Sequence, residues 1–219
     1  MPPPYSGTFP GVGAITGQMR ESATRAASDG DLMRRTAAGD RDAFAALYQR
    51  HGGLVYRFAR LMTGSGPAAE DVVQEVFLAV MRDASRFDAS RASLSSYLYG
   101  IARHHTRRRL LRQRRFVALD AGDAAYELKD DSDPAGDAVL ACELLRLRRA
   151  IVALPSRYRE VLVMCDLQDA SYADAASTLG CAIGTVRSRL HRARELLKTK
   201  MRRTEAQVTS VPRSIRCAV

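Results

Sequence analysis

Arg187, Ser188, His191 and Arg192 share one side of a helix at about 100° per residue, with Thr185 beside them and Gly184 leaving the backbone unobstructed at its start. Guanidinium, hydroxyl and imidazole groups on one face can donate to base edges and phosphates. A second set is the arginine run from Ile101 to Phe116, with seven Arg and no acid, just after Tyr97 and Tyr99. Rings beside clustered Arg suit unpaired bases, the rings stacking while guanidinium groups hold phosphates. The two Tyr serve equally well as core. A third set is Asp71, Gln74, Glu75 and Leu78, at i, i+3, i+4 and i+7: an acidic and amide face ending in an exposed leucine. On a basic chain, such a face reads as a docking surface for another protein; an ordinary solvated helix is the competing reading. No paired carboxylates, metal cluster or phosphate-cradling glycine loop occurs at usable spacing, so no catalytic residue, metal or cofactor is expected.

These side chains need helices to carry them. Ser171 caps a short helix with Asp174 three residues on, its apolar face being Ala173, Ala176 and Leu179, and Gly180 ends it. After Cys181-Ala182 a longer helix carries Val186, Leu190, Ala193 and Leu197 at i, i+4, i+7 and i+11. Two helices and a tight turn, with exposed Arg and hydroxyl groups on the second, match a helix-turn-helix whose second helix enters the major groove. An ordinary helical hairpin with a solvated arginine face has the same pattern. Upstream, Leu140, Leu144, Leu147, Ile151 and Leu154 run to Pro155, and Tyr158, Val161, Leu162 and Cys165 follow; these two helices supply the core the motif lacks.

The first half reads as four helices. A short one starts at Asp31 and stops near Gly39; Asp40 caps the next, with Phe44, Leu47, Tyr48, His51, Val55, Phe58 and Met62 on its apolar face. His51 reads as a satisfied, partly buried side chain, since no second ligand sits at i+3 or i+4. Pro67 opens a third helix with Ala69, Val72, Val73, Val76, Phe77 and Val80 inside, and a fourth begins near Leu94 after the loop from Phe87 to Ser93. The pair His104-His105 has no carboxylate or Cys near it in sequence, which argues against a metal or catalytic role.

The net charge of +10 points to a polyanionic partner, and its distribution is informative. Residues 183–203 hold eight Lys or Arg against Glu195 alone, whereas residues 117–137 hold seven acids and only Lys129. Two basic modules flank an acidic linker, which fits two separate contacts on one nucleic acid. No apolar run of about 18 residues exists, so no membrane insertion is expected. The four Cys lack CxxC spacing and read as reduced thiols of a cytoplasmic protein. Alternating strand patterns are nearly absent. The expectation is an all-α chain of two small helical domains: a disordered leader (1–30), a first domain (31–116), an acidic flexible linker (117–137), a second domain (138–202) and a flexible tail (203–219).

AEDVVQEVFLAV (Ala69 to Val80), RFDASRASLSSYLYGIAR (Arg86 to Arg103) and LPSRYREVLVM with SYADAASTLGCAIGTVRSRLHRAR (Leu154 to Arg194) stand in one order and spacing. In this the chain resembles a bacterial RNA polymerase sigma factor of the extracytoplasmic-function (ECF) group. The resemblance implies that the first domain, region 2, binds the clamp helices of the polymerase β′ subunit and melts the minus-10 element. It implies that the second, region 4, binds the β flap and reads the minus-35 element as duplex. Carried onto this sequence, Asp71, Gln74, Glu75 and Leu78 become the core-polymerase contact. Asp88, Ser90, Arg91, Ser93, Tyr97, Arg103 and Arg107 become the minus-10 surface, and Thr185, Arg187, Ser188, His191 and Arg192 the minus-35 surface. Family members commonly carry Trp where Tyr97 stands. An anti-sigma factor is a common partner in the family, though no residue here demonstrates one. On this reading the polymerase performs the chemistry, and it, rather than contact between the two domains, holds them at their spacing. The alternative is a helix-turn-helix regulator that does not recruit polymerase; the face from Asp71 to Leu78 argues against it.

Overall fold

The computed structural model describes residues 27–117 and 138–209, with side chains over 27–112 and 140–203. Residues 1–26 of the expected leader, 118–137 of the expected linker and the last ten residues of the expected tail fall outside them. Among the described residues there are eight α-helices and no strand: α1 (Asp29–Ala37), α2 (Arg41–Thr63), α3 (Gly66–Asp83), α4 (Leu94–Val117), α5 (Ala138–Val152), α6 (Ser156–Asp166), α7 (Tyr172–Leu179) and α8 (Ile183–Thr209), with one 3-10 turn at Ala84–Arg86.

Local chemistry sets most of the ends. Asp40 accepts from the amides of Asp42 (2.9 Å) and Ala43 (3.1 Å), so α2 starts where a carboxylate meets its free N–H groups. Gly64, at φ 74°, closes α2 in the left-handed conformation that a β-carbon disfavours, and Ser65 caps α3 with Pro67 in its first turn. Two helix limits differ from expectation. α1 begins at Asp29 because Ser28 serves as its cap, accepting from the Asp31 amide at 3.1 Å. α8 continues to Thr209, past the expected start of the tail. Its last residues, Arg203-Thr204-Glu205-Ala206-Gln207, have good helix propensity but no apolar period to betray them.

Helices α1 to α4 bury Leu32, Leu47, Phe58, Met62, Val76, Leu98 and Tyr99, each at most 1% exposed. Helices α5 to α8 bury Leu154, Val161, Met164, Val186, Leu190 and Ala193, each at most 2% exposed. Deep burial of this kind contributes about 1.5–3 kcal/mol for each large aliphatic side chain. Three apolar assignments are corrected. Leu140 and Leu144, at the start of α5, are 56% and 45% exposed, so only Leu147, Ile151 and Leu154 of that run join the core. Tyr48 is 49% exposed, its ring lying 4.8 Å from that of Phe77 at the rim of the core. In α7 it is Ala175, fully buried, rather than the exposed Ala173, that joins Ala176 and Leu179, because this short helix packs against both α8 and α4.

The larger difference is that the two domains are held by each other. α4 packs on α7, and α2 on α5 and α6, so that one apolar cluster runs through both. Polar bonds cross the same junction: Arg159 donates to the Met62 carbonyl (2.7 Å), Arg103 to Glu160 (3.0 Å) and the Thr178 hydroxyl to the Ser96 carbonyl (3.3 Å), while the Tyr99 hydroxyl and the Gln168 side-chain amide are hydrogen-bonded.

Candidate nucleic-acid and polymerase interfaces

The turn between α7 and α8 is built by its backbone. Gly180 sits at φ 64°, and the amides of Gly180 and Cys181 close on the carbonyls of Ser177 (3.3 Å) and Ala176 (3.0 Å). The Ser171 hydroxyl accepts from the Asp174 amide at 3.0 Å and donates to its carboxylate at 2.7 Å, fixing the start of α7. Arg194 grips Asp166 with two bonds of 2.8 and 2.6 Å and braces α8 against α6. That arginine is structural, although in sequence it belongs to the basic run. With Val186, Leu190 and Ala193 turned fully inward, Arg187, Ser188, His191 and Arg192 all face out and Thr185 is half-buried. Arg187 lies 6.0 Å from the Tyr172 ring centre, and the Ser188 hydroxyl donates to the Thr185 carbonyl at 3.1 Å. The five residues expected to read duplex DNA thus form one outward surface.

Of the seven expected minus-10 residues, Asp88, Ser90, Arg91, Ser93 and Arg107 are exposed. Asp88 accepts from the Ser90 hydroxyl (2.7 Å) and amide (2.9 Å), and these bonds hold its carboxyl below the usual carboxylate range. Ser93 accepts from the Ser96 amide at 3.3 Å and so caps α4. Tyr97 stands half-buried against Phe87, ring centres 5.4 Å apart, and burial pushes its phenol up. Around it Arg86, Asp88, Arg91 and Ile101 line an open groove of about 390 Å³ whose far wall is Ser177 and Thr178 of α7. Arg103 departs from expectation, since its side chain is only 22% exposed and is paired with the buried Glu160. Tyr99, 1% exposed, is core, as the sequence allowed for one of the two tyrosines.

The α3 face is intact, with Asp71, Gln74, Glu75 and Leu78 all exposed. Its acids have partners from α4 that the sequence did not reveal: Arg109 bonds Asp71 at 2.7 Å, and His105 lies 3.9 Å from Glu75. A carboxylate does therefore sit near the histidine pair. Burial holds the His105 imidazole below its ordinary range despite Glu75, so it is neutral at pH 7 and that contact is not an ion pair. Leu78 is not alone. Met81 (54% exposed) and Tyr48 (49%) join it along an open groove of about 770 Å³ floored by Phe44, Gly52 and Phe77. Sequence reasoning missed both; Met81, three residues past Leu78 on the same face, carried a usable signal.

His51 is satisfied as expected, its Nε2 lying 3.0 Å from Asp29. Among the described residues, no group of three His, Cys, Asp or Glu is placed to hold a metal ion, and no helix is long and apolar enough to cross a membrane.

Comparison with known proteins agrees with this geometry. The family models Sigma-70 region 2 and Sigma-70, region 4 match residues 47–116 and 144–197. The ECF RNA polymerase sigma factor SigM of Mycobacterium tuberculosis (strain H37Rv) is 35% identical over 197 residues, covering 90% of this chain and 92% of that protein. SigW of Bacillus subtilis, another ECF RNA polymerase sigma factor, is 31% identical over 178 residues, covering 78% and 95%. Among solved structures, CnrH in complex with the cytosolic domain of CnrY aligns with a TM-score of 0.59 at 25% identity over 78% of this chain and 95% of that one. The sigma factor RpoE in complex with the anti-sigma factor NepR from Bartonella quintana shares the fold, with a TM-score of 0.63 at 24% identity over 73% and 96%. Two matched regions in order, and relatives that align over most of their length, establish that this chain belongs to the ECF RNA polymerase sigma factors, DNA-binding initiation factors that bind core polymerase and direct it to promoters.

Proposed function

We propose that three surfaces divide the work of initiation. Asp71, Gln74, Glu75 and Leu78 dock on the β′ clamp helices, with Met81 and Tyr48 extending the contact. Asp88, Ser90, Arg91, Ser93, Tyr97, Arg103 and Arg107 take the unpaired minus-10 strand, Tyr97 offering a ring on which a base stacks. Thr185, Arg187, Ser188, His191 and Arg192 read the minus-35 duplex while the same domain meets the β flap. The region 2 unit spans residues 31–116 and the region 4 unit 138–202. The chain supplies no chemistry of its own; bond formation belongs to the polymerase, and the protein works in the cytoplasm. CnrH is seen with the cytosolic domain of CnrY, and RpoE with the anti-sigma factor NepR. We assign this chain a partner of that kind.

The observation that carries this reading is the one-sidedness of α8, whose buried aliphatic stripe leaves no orientation for Arg187, Ser188, His191 and Arg192 except outward. The separate α3 face answers the question of why a DNA reader needs a second surface. Gln74→Ala with Leu78→Ala tests it, because neither residue belongs to the Asp71 to Arg109 pair. The doubly substituted chain is expected to lose core-polymerase binding in a pull-down while keeping wild-type affinity for duplex DNA. Equal loss of both, or of neither, contradicts the assignment.

A further inference from the structure

The apolar stripe of α5 runs further than the surface it packs on. Leu147 and Ile151 sit against the core, whereas Leu140 and Leu144 continue the same stripe into solvent. Beside Leu144 an open groove of about 560 Å³ lies between α5 and α2, and Leu61 of α2 and the exposed Leu167, in the loop after α6, complete its aliphatic lining. Its charge is of one sign. Arg57, Arg60 and Arg148 stand along the groove with Tyr56 and Gln168, and no acid does. The fold fixes two of these, since Arg60 bonds the Gly64 carbonyl at 2.7 Å and Gln168 is hydrogen-bonded to the Tyr99 hydroxyl. Arg57 is exposed. None of these residues belongs to the surfaces assigned above to polymerase or DNA.

We propose that this groove is a binding site for a free alkyl carboxylate, whose chain lies on Leu61, Leu144, Leu147 and Leu167 and whose head meets Arg57 and Arg148. An aliphatic floor beside a cationic rim selects an amphiphile with a negative head, and the volume falls within the range of small-molecule sites. A guanidinium holds a carboxylate through charge-assisted bonds, and each methylene taken out of water tightens binding about fourfold. A peptide fits less well. The part of α5 that lines the groove, Leu144 to Ile151, rises only about 10 Å, or two turns of a partner helix. An extended peptide lays N–H and C=O groups on aliphatic side chains that satisfy none of them. A phosphodiester strand gains nothing from the aliphatic floor. The site does not depend on the promoter assignments. Because α2 lies in region 2 and α5 in region 4, an occupant touches both and stabilises the folded chain by mass action.

The test titrates the full chain with sodium dodecanoate, below the concentration at which it forms micelles, by isothermal titration calorimetry, and follows thermal unfolding by circular dichroism. The expected result is saturable binding of one equivalent and a raised unfolding midpoint. Decanoate, two methylenes shorter, is expected to bind about sixteenfold more weakly. Dodecyltrimethylammonium, with the same chain length and a cationic head, is expected not to bind. Two substitutions at exposed positions locate the site. Leu144→Asp sets a carboxylate on the aliphatic floor and is expected to weaken dodecanoate binding about tenfold or more; Arg57→Ala removes a cation from the rim and is expected to weaken it severalfold, and it decides the matter alone if Leu144→Asp fails to fold. No binding, several equivalents, or affinity unchanged in these variants overturns the proposal. Equal binding of the cationic amphiphile overturns it by reducing the groove to a greasy surface. Binding to vesicles of phosphatidylglycerol without saturable binding of dodecanoate overturns it in favour of a membrane surface.

Discussion

Arg187→Ala gives the sharpest test of how region 4 reads DNA, because the structure supplies both sides of the balance. Arg187 is exposed, near the start of α8, next to the buried Val186. A bidentate arginine contact to a guanine edge is worth about 1–3 kcal/mol of discrimination. Against this stands the free-state contact of its guanidinium with Tyr172, 6.0 Å from the ring centre, worth about 0.5–1 kcal/mol at an exposed site. Taken at mid-range, about 2 against about 0.7 kcal/mol, the net loss is about 1.3 kcal/mol, or about ninefold in affinity. The assay is competition of minus-35 duplex variants for holoenzyme, repeated across a salt series. Arg187→Ala is expected to flatten preference at one base pair and leave the salt slope unchanged. A uniform loss across all duplexes, with the slope reduced by about one, is the behaviour of a phosphate contact. That result refutes the base-reading role and with it the orientation of α8 in the groove.

Three further outcomes follow from the geometry. Tyr97→Ala removes a stacking ring worth about 1–3 kcal/mol per base, so permanganate reactivity of minus-10 thymines in the holoenzyme complex falls while minus-35 affinity stays; unchanged reactivity contradicts the stacking role. Gly180→Ala places a β-carbon in open space but at φ 64°, so it costs about 1 kcal/mol of conformational strain without a clash, read as a lower urea midpoint; an unchanged midpoint contradicts this. For Asp29, burial raises the carboxyl pKa, but the bonds from Arg50 and His51 outweigh it and the net shift is downward. A depressed folded pKa stabilises above the unfolded value, about 3.9, and is lost as pH falls through the folded one. Asp29→Asn is thus less stable than wild type at pH 7, and urea titrations show the gap closing as pH falls below about 3.9; a gap that stays constant throughout acidification assigns the loss to shape instead of charge.

What was legible in the sequence was local or periodic. Asp40, Ser65, Ser171 and Gly180 act within three or four residues of themselves, so their types sufficed to place helix ends. The inner face of α3 and the outward face of α8 followed from a helical period alone. What was not legible depended on partners far along the chain. Asp71 meets Arg109 38 positions away and Arg103 meets Glu160 57 positions away, and nothing in a run of like charges says which member finds an acid. The same blindness hid the junction of the two regions. Each half looked able to stand alone because each has its own apolar faces, yet Arg103 and Tyr99 are committed to partners in the other half. Ala173 and Ala175 were exchanged for a related reason: a helix touching two neighbours has no single apolar stripe.

The most direct measurement is run-off transcription from a library of promoter fragments with purified core polymerase, with and without this protein. The account predicts transcripts that require the protein and come from fragments sharing both a minus-35 and a minus-10 sequence. It also predicts that Gln74→Ala with Leu78→Ala removes them. Absence of any protein-dependent transcript, while the protein still shifts duplex DNA, contradicts the central claim that its two regions act through the polymerase.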